Sequence, residues 1–108
     1  MRNGAVALCI AATLSAITAA GVPAQQPAAY KRGVPAALLS QTKIREDSAR
    51  AIALARVPGG TVTALELERE HGHLIWSFDL TVAGKPGIEE VNVDAVTGHV
   101  VSVEYEKN

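Results

Sequence analysis

Residues 74–82 read Leu74-Ile75-Trp76-Ser77-Phe78-Asp79-Leu80-Thr81-Val82, and their alternation decides the fold. Leu74, Trp76, Phe78, Leu80 and Val82 fall on one side of an extended chain and Ile75, Ser77, Asp79 and Thr81 on the other, because successive strand side chains point to opposite faces. A strand of this kind needs neighbours, and the flanking sequence supplies them. Upstream, Glu70-His71-Gly72-His73 forms a short turn from residues 61–68, where Leu65 and Leu67 alternate with Glu66 and Glu68. Downstream, Gly84-Lys85-Pro86-Gly87 ends the run; Val91 and Val93 then alternate with Glu90, Asn92 and Asp94. Asp94-Ala95-Val96-Thr97-Gly98 makes the next turn, with Asp94 accepting turn N–H groups and Gly98 free to take positive φ. The last run is expected to carry Val101, Val103 and Tyr105 inward, with Ser102 and Glu104 outward. Connections this short make the four strands sequential and antiparallel, since a parallel pair needs a crossover of about a dozen residues or more.

Before the first strand, residues 43–56 hold no Pro or Gly, and alanine recurs at 49, 51, 53 and 55, which favours a helix. At about 100° per residue, Ile44, Ser48, Ala51, Ile52 and Ala55 form a stripe largely opposite Lys43, Glu46, Asp47 and Arg50. Thr42 is the expected N-cap, Glu46 and Asp47 sit near the positive end of the helix dipole, and Arg56 serves the other end. Pro58-Gly59-Gly60 stops the helix. A helix with one apolar stripe and a sheet with one apolar face cover each other. The expected class is therefore α+β, one amphipathic helix packed on a four-stranded antiparallel sheet, over residues 41–108.

Residues 1–24 read as a secretory signal peptide. Arg2 opens the segment, residues 5–20 carry no charge, and Val22-Pro23-Ala24 is a small-residue cleavage pattern, with Ala20 the alternative site. The stretch is short and rich in Ala and Thr for a membrane anchor, which needs about 20 apolar residues. No stable membrane insertion is expected after cleavage, and the chain is placed outside the cytoplasm, secreted or periplasmic. Cys9 is the single cysteine and leaves with the signal, so thiol chemistry is excluded from the domain. Residues 25–40, rich in Ala, Gln and Pro, read as a flexible lead-in.

The 108 residues hold 10 Lys+Arg against 11 Asp+Glu, a net charge of −1. That balance excludes a nucleic-acid binder, which needs a basic stripe to neutralise phosphates. The charge is uneven, however. Residues 25–60 carry six basic and two acidic side chains, residues 61–108 three basic and nine acidic. Glu66, Glu68, Asp79, Glu90 and Glu104 are expected on the solvent face of the sheet. They are either a solvated skin that keeps the protein soluble, or a docking surface for a basic patch of a partner or for a hard cation.

Motifs for chemistry are weak. His71 and His73, with Glu70 beside them and His99 elsewhere, offer the donor types that zinc or copper use. Two histidines at an exposed turn are more often simply polar, and no metal or cofactor is expected. Glu89 and Glu90 point to opposite faces of a regular strand, which removes them as an acid–base couple. Ser48 and Ser77 lack a histidine and carboxylate at suggestive spacing. No enzyme is expected.

Several segments together resemble a PepSY domain: Ile44-x-x-Asp47-x-Ala49, Ala51-Ile52-Ala53-Leu54-Ala55 closing on Val57-Pro58-Gly59-Gly60, Leu65-Glu66-Leu67-Glu68, Trp76-Ser77-Phe78, and Val91-x-Val93-Asp94-Ala95-x-Thr97-Gly98-x-Val100. The likeness covers about residues 41–105. Arg45 stands where the family often has a small hydroxyl residue at the helix start. The resemblance implies a non-catalytic module with no catalytic residues to carry over. It also implies a protein partner, since PepSY domains occur in propeptides of thermolysin-like secreted metallopeptidases, where they are thought to hold the peptidase inactive or assist its folding. Inhibition or modulation of a secreted or periplasmic peptidase is thus one expectation. An envelope sensor or small-ligand or metal-binding domain is the other. The oligomeric state is left open.

Overall fold

The computed structural model describes residues 30–107; the expected signal peptide and the first part of the lead-in lie outside the described residues. The elements are β1 (Lys31–Gly33), α1 (Ala36–Leu39), α2 (Glu46–Arg56), β2 (Gly60–Glu70), β3 (His73–Val82), β4 (Lys85–Asp94) and β5 (Val100–Glu106). The strands form one sheet in the order β1-β2-β3-β4-β5, with β2 to β5 an antiparallel meander. The α+β class holds, but the expected four antiparallel strands become a mixed sheet of five. β1 runs parallel to β2, with Lys31, Arg32 and Gly33 in register with Ala64, Leu65 and Glu66, and α1 is a second helix, of four residues. The link from β1 to β2 passes through both helices and so supplies the long crossover that parallel pairing requires.

Both added elements come from the stretch read as lead-in, and side chains hold it in place. Arg32 pairs with Glu46 through Nε at 3.1 Å and through a second guanidinium nitrogen. Tyr30 donates its hydroxyl to Glu46 Oε2 at 2.7 Å and accepts from Arg50 Nη1 at 3.0 Å. The Arg32 hydrogen bond, more than any other cause, holds the Glu46 carboxyl below its ordinary range.

Helix α2 starts at Glu46, not at Lys43, because residues 43 and 44 are engaged elsewhere. Their N–H groups both donate to the Ala95 carbonyl at 2.9 Å, and the Ile44 carbonyl accepts from the Trp76 indole at 2.8 Å. Thr42 donates to Leu39 O at 2.9 Å instead of capping. Arg45 takes the cap position with extended backbone and no side-chain cap bond. The buried face also differs from the expected stripe. Ala49 and Ala53 are fully buried and Ile44, Ile52 and Leu54 pack beside them, while Ser48, Ala51 and Ala55 are exposed. Alanine at every second position puts small residues on both sides of a helix, so composition did not choose between them.

The core between helix and sheet is built on Trp76, Phe78 and Leu80 of β3, flanked by Val62, Leu65 and Leu67 of β2 and by Val91 and Val93 of β4. Burying a side chain of this size contributes about 1.5–3 kcal/mol. A bulge between Val62 and Ala64 leaves Thr63 as the extra residue, so Val62 and Leu65 both reach the core despite their odd spacing. A second bulge pairs Val93 with Val100 and leaves Val101 without a partner on β4. Val100 therefore packs against the core in place of the expected Val101, which is 52% exposed. Val103 and Tyr105 keep the helix-side face, in register with Val91 and Glu89. Helix α2 packs chiefly on β4, β3 and β2, and these two remain 37% and 43% exposed; their expected burial is corrected accordingly.

Replacing Ala53 by Leu puts a larger side chain where helix and sheet meet without clearance. It is expected to cost about 1–3 kcal/mol in urea unfolding, whereas Ala51→Leu, on the exposed side, should change stability by less than about 0.5 kcal/mol.

Candidate functional site

Pairing register, not proximity in sequence, assembles the face opposite the helix. Glu66, Ser77, Asn92 and Ser102 form one cross-strand row, and Ala64, Asp79, Glu90 and Glu104 form the next. Glu68 lies one row further, in register with Ile75, which pairs in turn with Asp94. The five carboxylates singled out from sequence, Glu66, Glu68, Asp79, Glu90 and Glu104, thus share one face. Glu106, two residues beyond Glu104 on β5, joins them. Lys31 stands at the far end of the Ala64 row, so the row is basic at one edge of the sheet and acidic at the other.

Like charges directly opposite one another on a sheet are destabilising, and Asp79, Glu90 and Glu104 are such a run. Burial first, then Asp79, Glu106 and Glu104, push the Glu90 carboxyl above its usual range, with the Ser77 hydroxyl opposing. Asp79 is raised by burial and by Glu106 and Glu66, and Glu68 by burial and by Glu66 and Glu70. Among the described residues none of these carboxylates has an ion-pair partner; the pairs present are Arg32–Glu46, Arg45–Asp47, His73–Asp94 and Lys85–Glu89.

The face is less wet than the expected solvent skin. Ile75, Ser77 and Asn92 are buried on it. Asn92 donates from Nδ2 to Ser102 Oγ at 3.0 Å, while its Oδ1 is buried without a partner among the described residues. Glu90, Glu104 and Glu106 bring one oxygen each within 4.8 Å of one another, donors of the type that hard cations prefer.

The other sequence candidates sit at the turns. His71 and Gly72 both have positive φ, 52° and 83°, and join Glu70 to His73 in a two-residue hairpin loop. His73 Nδ1 lies 3.5 Å from Asp94 Oδ2; the two histidines do not fall within a three-ligand group among the described residues. Asp94 Oδ1 accepts from the N–H groups of Val96 and Thr97 at 2.8 and 2.9 Å. The Thr97 bond is the main reason that its carboxyl is held low. Gly98 has φ 83°, as the turn requires. Glu89 faces the helix side in register with Leu80 and Tyr105, and Glu90 the other side, so the neighbouring acids are separated.

Sequence alone leaves open which strand forms the outer edge. β5 is the last strand of the sheet, with Glu104 and Glu106 on one face and Val103 and Tyr105 partly exposed on the other. Glu106 shares the parity of Glu104 and was findable from that alone.

A family model described as "Peptidase propeptide and YPEB domain" (PepSY) matches residues 43–104, from just before α2 to within β5. Comparisons with curated proteins and with solved structures returned no match.

Two substitutions read the electrostatics with opposite signs. A raised Glu90 pKa means that the native chain binds more protons than the unfolded one, from the ordinary carboxylate range up to the native value; stability falls as pH rises through that window. Glu90→Gln should therefore gain about 0.2–1 kcal/mol at neutral pH, a gain that shrinks as pH falls through the raised native value and is gone below the ordinary carboxylate range. The depressed Asp94 stabilises above its ordinary pKa and loses that contribution as pH falls through its native value. Asp94→Ala should cost about 1–3 kcal/mol at neutral pH and less in acid. Urea unfolding across pH checks both.

Proposed function

We propose, from the premise that this chain belongs to the PepSY family, that it is an exported, non-catalytic binding module that restrains a secreted or periplasmic peptidase. The family match carries the regulatory reading, because its description names peptidase propeptides. The carboxylate face and the open β5 edge support a protein partner, since unpaired like charges gain most from a partner of opposite sign. An interface of useful affinity needs about 800 Å² from each side, within reach of one sheet face and its edge. No helix among the described residues is long and apolar enough to cross a membrane, and the signal peptide read from residues 1–24 supplies the proposed route out of the cytoplasm. Glu66, Glu68, Asp79, Glu90 and Glu104 are the proposed contacts, with Asp94 and Gly98 shaping the turn.

The purified chain is expected to slow hydrolysis by an extracellular metallopeptidase of the same cell. A triple Glu66→Lys, Glu68→Lys, Glu104→Lys variant, shown folded by circular dichroism, should lose the effect. Unchanged hydrolysis with the wild-type chain at about 100 µM, where even a weak complex forms, would remove the reading.

A further inference from the structure

An edge strand presents a row of unpaired N–H and C=O groups, and sheets usually blunt such edges by shortness, proline, lysine or a bulge. The two edges of this sheet differ in that respect. β1 has three residues, and Val34-Pro35 follows it directly. β5 has seven residues, without Pro or Lys inside it. Its bulge at Val101 lies near its start, so the stretch from Ser102 to Glu106 pairs regularly with β4, and among the described residues no strand pairs with its far side. Tyr105 steadies that stretch by donating its hydroxyl to Pro86 O.

The two faces of this open strand have different chemistry. On the helix side Val103 and Tyr105 stay partly exposed, with Lys85 Nζ 4.6 Å from the centre of the Tyr105 ring, because the helix lies over the strands further in. On the other side stand Glu104 and Glu106, with Glu90 of β4 beside them within carboxylate reach. A second copy of the chain added antiparallel to this edge would extend one acidic face with another, which like-charge repulsion disfavours. A strand whose residues alternate between basic and apolar would satisfy both faces at once, its Lys or Arg side chains meeting Glu104, Glu106 and Glu90 and its apolar ones covering Val103 and Tyr105. Strand addition of this type draws affinity from main-chain bonds and selectivity from alternate side chains.

We infer that β5 receives an extended segment of a partner protein in which basic and apolar residues alternate, pairing with the backbone of Ser102 to Glu106. This deepens the proposed function by naming the partner's chemistry, and its test needs no peptidase, so the two readings can fail separately. The probe is an octapeptide of alternating lysine and valine, titrated into the 108-residue chain by calorimetry, with amide hydrogen exchange read by NMR. Binding with new protection between Ser102 and Glu106 is the expected result. The same peptide with glutamate in place of lysine should bind at least about tenfold more weakly. The Glu104→Lys, Glu106→Lys double variant should reverse that preference, which a variant that merely unfolds cannot do. Three results overturn the inference: no binding of the lysine peptide, protection confined to other strands, or sedimentation as a dimer with Ser102 to Glu106 protected before any peptide is added.

Discussion

The contact on which the rest of the molecule depends is the clasp between the start of the helical layer and the last turn of the sheet. Ala95 donates its N–H to Leu74 O at 2.8 Å and receives at its carbonyl the N–H groups of both Lys43 and Ile44, while Ile44 returns its own carbonyl to the Trp76 indole. Four hydrogen bonds satisfy seven polar groups within one junction, and a buried group left unpaired costs about 1–3 kcal/mol. Because residues 43 and 44 are committed to the sheet, α2 can begin only at Glu46. In the rotation it adopts, Ala49 and Ala53 face the sheet and Ala51 and Ala55 are exposed. The Asp94 turn belongs to the same clasp: Asp94 and Ala95 are adjacent, and the bonds from Asp94 Oδ1 to Val96 and Thr97 hold the peptide that carries the Ala95 carbonyl.

What could be read from sequence was what local periodicity determines. Trp76, Phe78 and Leu80 alternate with Ser77 and Asp79 over enough residues that only an extended chain buries the first set, and the structure buries all three. The carboxylate face was legible for the same reason. Glu66 and Glu68 lie after the bulge at Thr63 and Glu104 after the one at Val101, so parity within each regular stretch held. Val101 shows where that logic stops: neither Gly nor Pro marks the extra residue, and one inserted residue exchanges Val100 for Val101 at the core. β1 and the true start of α2 were illegible because their causes are tertiary. Tyr30 and Arg32 are ordered by Glu46, and Lys43 and Ile44 by Ala95, contacts between distant parts of the chain that no local window contains.

The carboxylates divide into two populations. Glu46 and Asp94 have donors aimed at them and sit below the ordinary carboxylate range, so each supports folding at neutral pH. Glu68, Asp79 and Glu90 have burial and neighbouring carboxylates, and sit above it. The first population marks the joints of the fold, one fastening β1 to α2 and the other shaping the β4–β5 turn. The second is a load that folding alone does not relieve. Protons relieve it in acid, and a cationic partner would relieve it at neutral pH.

The helix covers less of the sheet than a two-layer sandwich allows, and this couples the clasp to the edge. With its start fixed over Trp76 and its packing chiefly on the inner strands, α2 leaves Val103 and Tyr105 partly exposed even though Val91, the register neighbour of Val103, is fully buried. The apolar side of the edge thus follows from the helix packing on β2, β3 and β4, whereas its acidic side follows from the parity of Glu104 and Glu106. Those two constraints are independent of each other. Their meeting on one strand whose outer side has no neighbouring strand among the described residues is what sets β5 apart from β1, where Arg32 is already bound to Glu46 and the chain turns away at Pro35.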